Sequence, residues 1–335
     1  YSNEGIMLKS GMSASEKDED GNLYQATTDP NVVDPVVFYD KEGKLWMIYG
    51  SYSGGIFVKE MDAESGYGEK LLGGNHLRIE APYVIYNEET GYYYMFLSFG
   101  GLDSDGGYNI RVCRSENPNG PYVDSMGQDM KDCKGPAGSA FSDATAEQYG
   151  TKLMGGYKFT WKEGEEGEDR KGYLSPGHNS CLYQEETGKY FIIYHTRFEN
   201  SGETHEVRVH QMFFNEEGWP VIAPYRYTEE SAEKLESKQL VGTYKYINHG
   251  RDISPDMKES EELVLNKNNT ISGALEGTWE LSGDYNITIK TDEAEYKGIA
   301  LKQWDEDGKK YVMTFTALDS KSGVVIWGSG LNAID

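Results

Sequence analysis

Cysteine and long apolar runs are both scarce in this sequence of 335 residues. The three cysteines, Cys113, Cys133 and Cys181, are too few and too odd in number for a disulfide framework, and no C-x-x-C pair indicates zinc. We expect them to be buried thiols. No run of about 18 apolar residues is present to cross a bilayer, and the first twenty residues lack the basic-then-apolar order of a signal peptide.

Positive charge is also scarce. Lysine and arginine number 32 against 56 aspartates and glutamates, which gives a formal net charge of −24. A surface of this sign repels phosphate backbones and anionic lipids. We therefore expect no nucleic-acid partner, no membrane partner, and a neutral or cationic ligand. The acidic runs at 16–21 and 163–170 are interpreted as solvated loops.

Tyrosine and glycine are abundant, with 26 and 40 residues, and aromatic residues make up 13% of the chain. This balance is typical of many strands joined by tight turns. It predicts an all-β protein.

Three segments share one template and predict three β-hairpins. Each has an alternating apolar strand, an acidic turn closed by a glycine, and a second strand rich in Tyr, Phe and Ile. Behind the second hairpin, residues 108–130 are expected to add two short strands, and four strands per unit is the pattern of a propeller blade. The hairpins are DPVVFYDKEGKLWMIYGS (34–51), APYVIYNEETGYYYMFLS (81–98) and HNSCLYQEETGKYFIIYHT (178–196), with turn glycines Gly43, Gly91 and Gly188.

The spacing of the hairpins predicts a propeller domain over residues 1–235, of which this chain supplies about three blades. The hairpins start 47 and 97 residues apart, and we interpret the longer gap as an insertion rich in glycine and charge. Residues 1–8 resemble the tail of the second unit. We therefore expect them to form the last strand of a preceding blade, whose first three strands would lie upstream. Residues 236–335, with short alternating strands and Asn-Asn, Ser-Gly and Asp-Gly turns, predict a small antiparallel barrel or sandwich.

Two carboxylates stand at the heads of predicted inner strands. Asp34 precedes Pro35 in the first hairpin, and Glu80 precedes the Ala-Pro pair of the second. We expect them to occupy equivalent positions on neighbouring blades and to meet at one mouth. Such a pair suits glycosidic cleavage, which needs a protonated acid and a charged neighbour that keeps it protonated. The alternative is that both cap strands or turns before an X-Pro step.

Weaker candidates accompany these carboxylates. His178 opens the third hairpin, and its place in the repeat favours a metal ligand, although an isolated histidine is more often structural. Tyr52 and Phe99 precede the glycine pairs 54–55 and 100–101 and are candidates to stack on sugars, while turn formation and core packing are the alternative. The predicted substrate-binding residues are Val33, Ser51, Tyr52 and Phe99.

Five phrases together carry a family resemblance that covers nearly the whole chain. They are NVVDPVVFYDKEGKLWMIYGSYSGGIF, GGNHLRIEAPYVIYNEETGYYYMFLSFGGL, GGYNIRVCRSENPNGPY, SPGHNS and GWPVIAPYRY. With them the chain resembles glycoside hydrolase family 43, specifically its two-domain endo-α-1,5-L-arabinanases. The resemblance implies a five-bladed β-propeller with a C-terminal β domain. It also implies inverting cleavage of arabinan by an Asp base, an Asp that modulates the pKa of the acid, and a Glu acid.

The resemblance assigns roles to three residues and leaves one role unfilled. Asp34 in VVDP is similar to the modulating Asp, Glu80 in RIEAP to the general acid, and His178 in SPGHNS to the ligand of a calcium ion otherwise held by waters in the central channel. The family's base sits in an Asp-Pro phrase well upstream of the modulating Asp. Asp29 has that dipeptide but lies only five residues before Asp34, so we interpret it as mimicry. We therefore expect the base on an N-terminal propeller segment, either a separate chain or a removed piece.

The implied substrates are arabinan or arabino-oligosaccharides, and a polymeric substrate implies an extracellular or cell-surface location. Two other functions fit the same residues. One is an exo-acting arabinofuranosidase or β-xylosidase on this scaffold. The other is a non-catalytic carbohydrate-binding propeller, which the unassigned base makes a real alternative.

Overall fold

The computed structural model describes residues 8, 10, 17, 21–61, 68–162, 165 and 170–334, and these residues are almost entirely β. The all-β prediction is therefore confirmed. The chain divides into two compact units, one of Tyr1–Gly101 with Arg111–Gly150 and one of Leu102–Ile110 with Thr151–Asp335. Within the described ranges, no helix is long and apolar enough to cross a membrane.

Seven strands in the first third of the chain belong to two sheets whose strands follow chain order. The first sheet is β1-β2-β3-β4, and in the second sheet β5, β6 and β7 are neighbours in that order. This order is the meander expected of propeller blades. The strands are β1 (Val36–Tyr39), β2 (Leu45–Tyr49), β3 (Ile56–Glu60), β4 (Glu69–Leu72), β5 (Ile79–Asn87), β6 (Tyr92–Phe99) and β7 (Asn109–Ser115).

The rest of the chain adds three short helical segments and fifteen strands within the residues described. The helical segments are a 3-10 turn at Met130–Asp132, α1 (Asp143–Ala146) and α2 (Ser237–Leu240). The strands are β8 (Thr151–Met154), β9 (Tyr157–Lys158), β10 (Tyr173–Gln184), β11 (Lys189–Phe198), β12 (Glu206–Phe214), β13 (Pro220–Ile222), β14 (Gly242–Asn248), β15 (Lys258–Glu259), β16 (Glu261–Leu265), β17 (Thr270–Gly273), β18 (Gly277–Ser282), β19 (Asn286–Lys290), β20 (Glu295–Asp305), β21 (Lys310–Asp319) and β22 (Val324–Gly330).

The three predicted hairpins are confirmed as β1-β2, β5-β6 and β10-β11, each antiparallel. Their turn glycines, Gly43, Gly91 and Gly188, have φ of 82°, 74° and 68°. A Cβ added to any of the three would meet no atom within 4 Å. A side chain would have room at each of these positions. The turns therefore require glycine because the backbone there is left-handed.

The prediction of two strands in 108–130 is wrong in part. Residues 109–115 form β7, but Val123 makes only isolated bridges, to Arg114 and to Asp129. The Asp124 side chain explains the difference, because its Oδ1 accepts hydrogen bonds from two nearby backbone N–H groups, at 3.0 Å each. Such local bonds fold the backbone into a turn in place of a ladder. Residues 1–7, expected to resemble this tail, lie outside the described residues.

A third sheet contains the last predicted hairpin, in the strand order β13-β12-β11-β10-β9-β15. The short strand β15 pairs with β9 in parallel. Between β7 and β10 the described residues hold only short helical turns and two short strands, not a four-stranded meander. This agrees with the interpretation of the longer gap as an insertion.

The C-terminal part forms a closed barrel of eight strands, so the barrel and not the sandwich is observed. The order is β14-β16-β17-β18-β19-β20-β21-β22, and β14 pairs with both β16 and β22 to close the ring. Closure leaves no unpaired strand edge. The predicted domain boundary at 235/236 falls just before α2. The interior includes Leu263, Trp279, Ile289, Phe315 and Ile326, each at most 2% exposed.

Charged side chains are buried beside this barrel, where the sequence predicted a solvated loop at 163–170. Arg170 donates to Asp305 (2.7 Å) and to Glu165 (2.8 Å), and Lys245 lies 2.6 Å from the same Glu165 carboxylate. All four side chains are at most 5% exposed. The loop prediction is wrong for Glu165 and Arg170, because residues distant in sequence supply opposite charges. The two positive and two negative groups attract one another, and this attraction offsets the cost of burying each charge.

The three cysteines are buried and free of disulfides, as predicted. Cys113 and Cys133 are 0% exposed and Cys181 is 5% exposed. Burial raises the pKa of the Cys133 thiol to about 12. These thiols therefore stay protonated and act as packing groups.

Candidate active site

One backbone feature recurs at the first residue of each of the three predicted repeat segments. Asp34, Ala81 and His178 open the three repeat segments, and their φ angles are 53°, 52° and 46°. Asp34 is therefore equivalent to Ala81, and Glu80 stands one position earlier. The expectation that Asp34 and Glu80 occupy equivalent positions is therefore wrong by one residue, because the counterpart of Asp34 is Ala81.

Irregular strand pairing accompanies this left-handed backbone. The β5-β6 register shifts between Glu80 and Tyr83, and the β10-β11 register shifts on both sides of Gly177. A bulge bends the strand and re-aims its side chains. A left-handed residue other than glycine costs about 1–2 kcal/mol. Neighbouring groups must hold it in place.

The neighbouring groups bring Asp34, Ser51 and Glu80 together in the first unit. The Ala81 N–H donates to Asp34 Oδ2 at 3.2 Å, so the Asp34 carboxylate lies against the residue that follows Glu80. Ser51 Oγ donates to Glu80 Oε2 at 2.9 Å. Both carboxylates are partly buried, and Ser51 is 8% exposed.

The Ser51 contact suits a group that gains and loses a proton. A serine hydroxyl can donate to a carboxylate and can equally accept from a protonated carboxylic acid. Ser51 can therefore hold Glu80 in place in both protonation states. A residue that transfers a proton to a leaving group must be held in place both before and after the transfer.

The predicted substrate-binding residues separate into two groups. Val33 is 39% exposed, and Tyr52 is partly buried with its ring 6.0 Å from that of Phe141. Phe99 is 0% exposed, with the Arg111 guanidinium 4.9 Å from its ring centre. Phe99 is thus a packing residue, and its assignment to substrate binding is wrong because its side chain faces the core.

The glycines and aspartate near Tyr52 have structural roles. A Cβ on Gly54 would lie 2.3 Å from the Asp29 carbonyl oxygen, and one on Gly55 would lie 2.0 Å from the Leu72 carbonyl oxygen. Close backbone packing therefore requires both glycines. The Asp29 carboxylate accepts from the Gln25 N–H at 2.7 Å and so closes its own turn.

Sequence reasoning missed a group of residues near Glu80. Phe141 is 56% exposed and contacts Tyr52 and His76 through their rings. Arg78, two residues before Glu80, forms a two-point ion pair with Asp143. Phe141 and Asp143 lie in the segment interpreted as an insertion, which has no repeat template to mark them.

His178 lies in the second unit on β10, and its side chain is exposed. Its ring stacks on His195 at 5.9 Å, and His195 meets His205 edge to face at 4.4 Å. Burial, with the two other histidines next in importance, lowers the pKa of His195 to about 4, so this ring is neutral at pH 7. Gly177 precedes His178 because a Cβ there would lie 2.1 Å from the Tyr108 ring.

The groups around His178 do not by themselves fit a calcium ion. Among the residues that the structure describes, no set of three or more His, Cys, Asp or Glu side chains is placed to hold a metal. The donors beside His178 are imidazole nitrogens, whereas calcium takes six to eight oxygen ligands.

Comparison with known proteins decides the family. Residues 18–152 match the model of glycosyl hydrolases family 43, and residues 224–328 match the C-terminal lipocalin-like domain of that family. The chain is 54% identical to the extracellular endo-α-(1→5)-L-arabinanase 2 of Bacillus subtilis, over 98% of this chain and 70% of that protein. The chain belongs to glycosyl hydrolase family 43. A Thermotoga petrophila protein named extracellular endo-α-(1→5)-L-arabinanase is 48% identical over the same shares.

Solved structures of family 43 proteins agree with this fold. A family 43 glycoside hydrolase from Bacillus licheniformis superposes with a TM-score of 0.93 at 52% identity, over 99% of this chain and 74% of that one. The endo-1,5-α-L-arabinanase from Thermotoga petrophila gives 0.89 at 46% identity, over 98% and 74%. The family 43 enzyme described here therefore shares its fold with them over nearly its whole length.

The contact between Asp34 and Ala81 predicts a stability difference between two substitutions. Asp34→Ala leaves the buried Ala81 N–H without its acceptor and is expected to lower the free energy of unfolding by about 1–3 kcal/mol. Asp34→Asn keeps an oxygen acceptor and tolerates the left-handed backbone, so its loss should be less than half as large. Urea denaturation of both variants measures the difference. Equal losses in the two variants would contradict this contact.

Proposed function

We propose that this family 43 hydrolase is an endo-acting α-1,5-L-arabinanase that cleaves arabinan outside the cell. The observation that carries the proposal is a pair of contacts at adjacent residues: Ser51 donates to the Glu80 carboxylate, and the Asp34 carboxylate accepts from the N–H of Ala81. The proposed substrate and location are supported by the two arabinanases at 54% and 48% identity, both of which are named extracellular. The family likeness also supports a five-bladed propeller as the complete domain.

In the proposed reaction, Glu80 protonates the oxygen of the departing arabinofuranosyl group. Asp34 keeps Glu80 protonated through its negative charge and binds the sugar whose bond breaks. A water activated by an Asp base attacks the anomeric carbon from the opposite face, so the configuration inverts. The bond to the leaving oxygen breaks as the bond to water forms, and the proton of that water passes to the base.

The general base is proposed to lie outside these 335 residues, on a segment that completes the propeller. Support comes from Asp29, whose carboxylate closes a local turn. Further support comes from the relatives, of which this chain spans 70%. Intact-mass analysis of the purified active enzyme is expected to find additional N-terminal residues, either joined to this chain or as a second polypeptide. A fully active species of 37.7 kDa alone would contradict the proposal.

His178 is proposed, on the family resemblance, to supply one ligand to a calcium ion whose other ligands are waters. Elemental analysis of the purified enzyme should then find about one calcium per molecule, and His178→Ala should lose it. His205→Ala serves as a matched control, because His205 lies in the same row of histidines. Equal calcium content in the enzyme and both variants would contradict the role of His178.

Glu80→Gln tests the general acid. The amide cannot donate a proton from a carboxyl group, so hydrolysis of linear arabinan is expected to fall by about 10²–10⁴-fold. An arabinoside with a dinitrophenyl leaving group needs no protonation, and Glu80→Gln should retain most of the activity on it. Initial rates on both substrates measure this difference, and product sizes from arabinan separate endo from exo cleavage.

Glu88→Gln is the matched control, since Glu88 is an exposed glutamate in the turn of the same hairpin. It should leave both rates unchanged. Equal loss on both substrates in Glu80→Gln would rule out an acid role for Glu80. Binding of arabinan without any hydrolysis by the wild-type enzyme would favour the non-catalytic carbohydrate-binding alternative.

A further inference from the structure

An exposed aromatic group lies next to the proposed catalytic residues and has no part in the reaction described above. Phe141 is 56% exposed. Its ring centre lies 6.0 Å from that of Tyr52 and 6.2 Å from that of His76. We call Tyr52, His76 and Phe141 the aromatic ridge.

The ridge is fixed by backbone hydrogen bonds and not by apolar packing alone. The Phe141 N–H donates to the His76 carbonyl at 3.1 Å, and the His76 N–H donates to the Ser53 carbonyl at 3.0 Å. The Asn75 side chain donates to the Gly135 carbonyl at 2.6 Å. The backbone that carries the exposed Phe141 ring is therefore held in one place, which lowers the entropy cost of binding a ligand to that ring.

Left-handed backbone occurs at all three ridge residues, with φ of 52° at Tyr52, 55° at His76 and 53° at Phe141. Strain of this kind persists only where the surroundings hold it, and it is concentrated at binding sites and active sites.

The ridge and Asp34 adjoin Glu80 from opposite directions along the chain. The Tyr52 N–H donates to the carbonyl of Ile79, the residue before Glu80, at 2.9 Å. Asp34 accepts from the N–H of Ala81, the residue after Glu80. Tyr52 and Asp34 therefore contact the backbone of the two residues that flank Glu80 in the chain. Asp34 is assigned to the sugar whose bond breaks, so the leaving-group side is the position that this assignment leaves for the ridge.

We propose that the aromatic ridge is a subsite for an arabinofuranosyl residue on the leaving-group side of the cleaved bond. Its principal contact is the Phe141 ring against the C–H face of the furanose. This proposal rests on the proposed function. Arabinofuranosyl residues are uncharged and carry an apolar face, so an aromatic surface binds them without an ion pair. An arabinan chain is the occupant to which the geometry points.

Phe141→Ala in the complete active enzyme tests the proposal by comparing two substrates. On linear arabinan, KM is expected to rise about tenfold with kcat within twofold, because one stacking contact contributes roughly a tenfold affinity. On a dinitrophenyl arabinoside, which has no sugar on the leaving side, kcat/KM should not change. Phe141→Trp should retain the wild-type KM on arabinan, because it keeps an aromatic face.

Tyr39→Ala is the matched control, since Tyr39 is an aromatic residue 69% exposed on β1. It should leave both substrates unaffected. An unchanged KM of Phe141→Ala on arabinan, with a wild-type enzyme that cleaves arabinan, would overturn the subsite and leave the proposed function standing. Equal losses on both substrates would indicate a structural role and would also overturn the subsite. A wild-type enzyme inactive on arabinan would instead refute the proposed function.

Discussion

The hydrogen bond from the Ala81 N–H to the Asp34 carboxylate is the contact on which the candidate site depends. The bulge at the start of β5 removes this N–H from the ladder, and the left-handed backbone at Asp34 brings the carboxylate to it. A buried N–H without an acceptor is costly. The same side chain therefore satisfies the backbone and places a carboxylate at the residue that follows Glu80, so the capping and catalytic interpretations of Asp34 are compatible.

The elements that the sequence predicted correctly are those determined by nearby residues. The alternation of apolar residues and the left-handed glycines Gly43, Gly91 and Gly188 are local signals, and all three hairpins form. The errors concern segments whose structure depends on distant partners or on side-chain bonds. The run at 163–170 was predicted to be solvated because Lys245 and Asp305, which pair with two of its members, lie far along the chain.

The candidate site follows the same rule. Asp34 and Glu80 are marked by X-Pro steps at strand heads, and the structure brings them together, although their catalytic roles stay a prediction. Phe99 was misassigned because successive side chains of a strand point to opposite faces of the sheet. An error of one residue therefore moves a side chain from the exposed face to the buried face. Phe141 was missed because the segment that contains it has no counterpart in the repeat. Its contacts with Tyr52 and His76 exist only in the folded chain.

The buried cluster of Glu165, Arg170, Lys245 and Asp305 also affects how the protein responds to ionic strength. Dissolved ions screen exposed charges and reach buried pairs much less. Added salt therefore weakens the mutual repulsion of a chain that carries a net charge of −24 and leaves the cluster beside the barrel nearly unchanged. The contacts within this cluster therefore persist as the salt concentration around the protein rises and falls.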